Sequence, residues 1–113
     1  MILAMIAALA LPLAAPADDF AVNEADLRCL AGMAVALGNA EGDTANALNL
    51  GKIYYLGKID GRTPDFDVED GIRRLLVDDP SGSSLAGELG RCGTELQKRG
   101  KDMIAIGEAL EAN

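Results

Sequence analysis

The residues of this chain with the plainest chemistry are two cysteines, Cys29 and Cys92, which stand 63 positions apart. Neither sits in a CxxC redox pair or at metal-ligand spacing. In an oxidising compartment an even cysteine count invites pairing. Closing so long a loop stabilises by roughly 4 kcal/mol on a chain-entropy argument. A structural disulfide is therefore the expectation, with two buried free thiols as the alternative.

The sequence contains no histidine, which removes the commonest general base, metal ligand and triad member. Ser81, Ser83 and Ser84 lie in a Ser-Gly-Ser-Ser run with no base partner in the pattern, and they read as turn and cap residues. The segment Asp65–Gly71 (DFDVEDG) has the acidic look of a calcium loop but fails on spacing. Counted from Asp65, its glycine falls at position 7 instead of 6, and Leu76 stands where a bidentate Glu is required. Helix capping by Asp67 explains the same carboxylates. No catalytic residue, metal ligand or cofactor-binding set emerges, and the chain reads as a non-enzyme without a cofactor. Arg99, Tyr54 and Tyr55 remain as candidate interaction residues, although adjacent tyrosines on an apolar helix also suit a core.

The setting of this chemistry is read from the first residues. Met1 to Ala17 carries no charged side chain, and Ala15-Pro16-Ala17 offers small residues at the −3 and −1 positions of a signal-peptidase site. A removed signal peptide over residues 1–17 is expected, with cleavage before Asp18 and a periplasmic or secreted destination. The run is shorter than the roughly 20 residues of a spanning helix, and Pro12 and Pro16 interrupt it. No stable membrane insertion is therefore expected after cleavage. Cys29 follows Asp26-Leu27-Arg28, which is no lipobox. The remainder, 18–113, is read as one small domain, and it holds every charged residue of a chain with formal net charge −8. That acidity argues against nucleic acid and anionic membranes as partners, leaving a protein partner or mere solubility.

The elements follow from periodicity. Asn23 reads as the N-cap of helix one, after a loose lead-in over 18–21, with Glu24 and Asp26 in the first turn. Val22 and Leu27 read as a hydrophobic staple. Cys29, Leu30, Met33, Ala34 and Leu37 then share an inward face that should end near Gly38-Asn39. Asp43 or Thr44 caps a second helix, Ala45 to about Ile59, whose apolar residues surround the axis and imply enclosure by neighbours. Ile53–Leu56 also has strand propensity, but no second strand is evident to pair with it. A third helix follows Asp67, with Val68, Ile72, Leu75 and Leu76 as its stripe.

From Leu85 the positions Leu85, Leu89, Cys92, Leu96, Arg99, Met103, Ile106 and Leu110 alternate in steps of 4 and 3, a heptad register that predicts one long helix running through Gly100. Beside that seam lie Gly93, Gly100 and Gly107, each lowering helix stability by roughly 1 kcal/mol relative to Ala. They point to close approach of helix one, aided by Gly90, unless Gly100 breaks the helix and the stripe is chance. Arg99 interrupts the seam and is expected to snorkel outward, to pair with Asp78 or Asp79, or to hold a ligand. The fold class is all-α: a small bundle of about four helices, with one disulfide joining helix one to the long C-terminal helix.

In layout, a short exported chain of about four helices with cysteines on an early and a late helix, the protein resembles the HdeA-like periplasmic acid-stress chaperones. It also resembles the Tai-type immunity proteins of type VI secretion. Their first helix opens with a Cys-Leu-Gly-like segment, echoed by Arg28-Cys29-Leu30-Ala31-Gly32 with Ala31 interposed. These resemblances cover the cysteine layout and helix count alone. They imply two functions: a protein-binding module of inhibitor or immunity type, or an acid-activated chaperone. A structural envelope protein without a discrete ligand is a third reading, and the oligomeric state is left open.

Overall fold

A computed structural model describes residues 17–112, so the proposed signal peptide falls almost wholly outside the described residues. The chain is all-α, in the order α1 (Ala17–Leu37), α2 (Gly42–Arg62), α3 (Val68–Asp78), the single turn α4 (Ser83–Ala86) and α5 (Leu89–Glu111). Among the described residues there is no strand, and no helix is long and apolar enough to cross a membrane. The strand alternative for Ile53–Leu56 fails because the segment lies mid-helix in α2.

Helix α1 is the hub on which α2, α3, α4 and α5 all pack. Its inward face supplies Leu27, Cys29, Leu30 and Met33 to a core completed by Tyr55 and Ile59 of α2 and Cys92 of α5. Removing side chains the size of Leu27 or Ile59 from water stabilises by about 1.5–3 kcal/mol each. Cys29 and Cys92 are bonded, with their Cα atoms 5.7 Å apart, so α5 is joined to the middle of the hub.

Two elements begin earlier than their capping signals predict. α1 already runs from Ala17, so the lead-in over 18–21 is helical from Asp18 on. Asn23 is no N-cap: it is buried mid-helix, where Nδ2 donates to Thr63 Oγ1 and Oδ1 accepts from Arg62. A cap residue needs a free helix end, and a tertiary amide site has claimed this one. Val22 is exposed, so the staple is absent. Likewise α2 starts at Gly42 after Glu41, with neither Asp43 nor Thr44 as its cap. The third cap stands: the Asp67 carboxylate accepts from the Asp70 N–H at 3.0 Å, and Val68, Ile72 and Leu75 pack on the core.

The seam also divides. Leu85 belongs to α4, and a turn at Gly87-Glu88 separates it from α5, which then continues unbroken through Gly100. At the start of α4 Gly82 adopts φ 71°, a left-handed conformation that suits glycine. The Asp79 carboxylate, not a serine alone, then closes the turn by accepting from the Ser84 N–H and hydroxyl at 2.8 and 2.7 Å.

The expectation that the α5 glycines receive helix one is overturned. A Cβ added at Gly90, Gly93, Gly100 or Gly107 would meet no described atom within 4 Å. Close approach occurs instead at Gly32, where a Cβ would come within 2.8 Å of the Leu85 carbonyl oxygen. It occurs again at Gly51, wedged between Met33 and Leu96, and at Gly71, against Leu27. The sequence pattern marks small residues, but only the crossing points of helices decide which of them need to be small.

Candidate functional site

Helix α2 is apolar around its axis yet covered on one side only. Gly51, Tyr55 and Ile59, four residues apart, form its buried face, whereas Leu50 and Ile53 are exposed. Enclosure fails because α5, the neighbour on the other side, stands across a groove from α2 and leaves that side uncovered. Beyond Leu96 α5 projects with its seam uncovered: Met103, Ile106 and Leu110 are all exposed, at 65%, 52% and 71%. Between the two helices lies a groove of about 600 Å³ whose walls include Leu50, Gly51 and Tyr54 on one side and Leu96, Arg99 and Met103 on the other. Groove and projecting stripe form one continuous apolar surface.

The floor end of the groove is fixed by a polar clamp. Lys58 of α2 donates to Asp26 Oδ1 of α1 at 2.9 Å and to Glu95 Oε2 of α5 at 2.7 Å. Tyr54 donates its hydroxyl to the same Glu95 oxygen at 2.7 Å, and Tyr55, fully buried, donates to the Cys92 carbonyl at 2.8 Å. The Lys58 ammonium also lies 5.5 and 5.4 Å from the centres of the two tyrosine rings, within cation–π range. Arg62 completes the cluster by donating to Asp26 Oδ2 at 3.1 Å. Asp26, with its side chain only 4% exposed, thus has two cationic partners, as a buried carboxylate requires.

These contacts set the electrostatics. Burial raises the Tyr54 hydroxyl above its ordinary range, and the bond to Glu95 adds to the effect. Tyr55 is raised further, again chiefly by burial. Burial alone would lift the Glu95 carboxyl, but hydrogen bonds from Lys58 and Tyr54 outweigh it and hold the group below the usual carboxylate range. Burial likewise opposes the Lys58 charge, yet its bonds to Glu95 and Asp26 prevail and raise the ammonium. Each of these groups is thereby held in its ordinary charge state at neutral pH, as the clamp's hydrogen bonds require.

The three candidate interaction residues separate. Tyr54 and Arg99 both line the groove, whereas Tyr55 is core. Arg99 does not reach Asp78 or Asp79; it is exposed and donates to Asp102 one turn away at 3.3 Å. Leu50 and Ile53 were missed as surface residues, because an all-round apolar helix reads as enclosed. The one available signal was the seam itself, which needs a partner over its whole length. Among the described residues, no group of three or more His, Cys, Asp or Glu side chains could hold a metal ion. Compared with known proteins, the chain matches no family model, no curated protein and no solved structure.

Proposed function

We propose that this chain is a non-enzymatic protein-binding module of inhibitor or immunity type, acting after export, and that it binds through the α2–α5 groove and the exposed stripe of α5. The observation that carries this reading is the uncovered seam, Met103, Ile106 and Leu110, continuous with Leu50 and the groove wall. Contiguous exposed apolar surface of this kind marks interaction sites, and anchors at i, i+3 and i+7 are how one helix docks on another. Tyr54 and Arg99 stand at the groove, two residue types enriched where interfaces are strongest. The disulfide fixes α5 on α1 and the polar clamp ties α2 to both, so the surface is largely formed before a partner arrives.

A photo-activatable benzophenone side chain placed at position 103 in the producing cell tests the reading. Irradiation should give one discrete covalent protein adduct. The same group at the exposed Glu69 of α3, on another face of the bundle, should give none. Failure to trap any protein from position 103 would overturn the assignment of this surface.

A further inference from the structure

We infer that the occupant of this surface is a second copy of the chain, docked antiparallel through α5. The inference rests on the binding-module reading and names its partner. Four features of the projecting helix lead to it.

The first is register. Leu89, Leu96, Met103 and Leu110 occupy one heptad position, and Cys92, Arg99 and Ile106 the other. The N-terminal layers are used inside the bundle, where Cys92 is buried and Leu89 and Leu96 pack on the core. The C-terminal layers continue the same repeat into solvent. A 3.5-residue apolar repeat is the geometry of one helix pairing along another.

The second is charge. Lys98, Arg99 and Lys101 make the start of the projecting segment net basic even with Asp102 bonded to Arg99, and Glu108 and Glu111 make its end acidic. A parallel pair would lay Arg99 on the partner's Arg99 and each charged end on its like. An antiparallel pair sets Met103 against the partner's Ile106 and Arg99 against the partner's Leu110, bringing each basic end beside an acidic one. The segment is complementary to itself reversed.

The third is the groove. In that register the end of the partner's helix, Leu110 and Glu111, comes to the mouth formed by Leu50, Tyr54, Leu96 and Met103. One two-fold arrangement therefore covers both stripes and fills both grooves, as an isologous interface does. A bare two-helix seam over Arg99–Leu110 spans only about 16 Å and falls short of the roughly 800 Å² per partner of a stable interface. The α2 walls extend it.

The fourth is backbone access. Gly100 and Gly107 flank the seam with open space around them, and the same register opposes Gly100 to the partner's Ala109, another small residue. Helices can then approach closely on that flank.

Light scattering on the purified, disulfide-bonded protein at about 100 µM, well above the dissociation constants of modest interfaces, should return the mass of two chains. Met103→Asp should return one chain with unchanged circular dichroism, since the replaced side chain is exposed. Lys98→Glu with Lys101→Glu should weaken association by about tenfold or more, because the register sets these lysines against the partner's Glu111 and Glu108, and adding Glu108→Lys and Glu111→Lys to the same chain should restore it, because both ends are then reversed together. A wild-type mass of one chain overturns the inference, as does a two-chain mass that Met103→Asp leaves intact. A quadruple variant no better associated than the Lys98→Glu, Lys101→Glu pair overturns the antiparallel register. The cross-link at position 103 separates this from the parent reading. If the wild type is monomeric but a heavier, foreign adduct forms, the binding module stands and the self-partner falls.

Discussion

Lys58 does more at the residue scale than any other side chain, because it ties a carboxylate on α1 to one on α5 from its place on α2. Its consequences depend on pH with definite signs. Glu95 titrates lower in the folded protein than the ordinary value of about 4.3, so its contribution is present above that value and is lost as pH falls through the folded pKa. Tyr54, Tyr55 and Lys58 are raised, so their contributions are present below about pH 10 and fade as pH rises further. Urea unfolding followed by circular dichroism should therefore show stability falling at both extremes. Glu95→Gln should remove about 1 kcal/mol at pH 7, given the partial exposure of the pair, and flatten the acid limb. A variant with the wild-type acid slope would count against the clamp. The same titration bears on the acid-activated chaperone: a fold still compact at pH 2 that takes up no hydrophobic dye removes that reading.

At the scale of elements, glycine separates crossing points from open faces. Gly32 lies under the Leu85 carbonyl, a backbone atom that cannot rotate away. Gly32→Ala should force α4 off α1 and destabilise by about 1–3 kcal/mol. Gly93 on α5 has open space and lies N-terminal to the proposed contact with a second copy. Gly93→Ala should stabilise by up to about 1 kcal/mol through helix propensity. Thermal melts of the two variants should move in opposite directions, and a shared sign would show that the helix crossings lie elsewhere.

For the whole molecule, the sulfur link decides whether the long helix belongs to the bundle. α5 meets the rest through Cys92, Leu89, Leu96, the Glu95 clamp and the Arg91 bond to the Ala25 carbonyl, while the seam beyond Gly100 is exposed. A loop of 63 residues left unclosed enlarges the unfolded ensemble. The paired change Cys29→Ser and Cys92→Ser should lower unfolding free energy by about 4 kcal/mol, against a typical total of roughly 5–15. Denaturant midpoints with and without reductant measure the same quantity on the native sequence. Equal midpoints would mean that packing alone seats α5.

Local information in the chain was enough for much of this. Asp67 announced its helix because a cap is an interaction between neighbours, and the helical period carried through Gly100 because a heptad needs no tertiary context. Pairing of the cysteines was the expectation from their even count, and Cys29 and Cys92 are bonded. Tertiary structure alone decided that Asn23 serves Thr63 and Arg62 instead of a helix end, that Gly32, Gly51 and Gly71 and not the α5 glycines lie at the crossings, and that one side of α2 is bare. The physical reason is common to all three. Periodicity tells which residues can be buried, but burial itself requires a neighbour, and along the outer part of α5 there is none among the described residues.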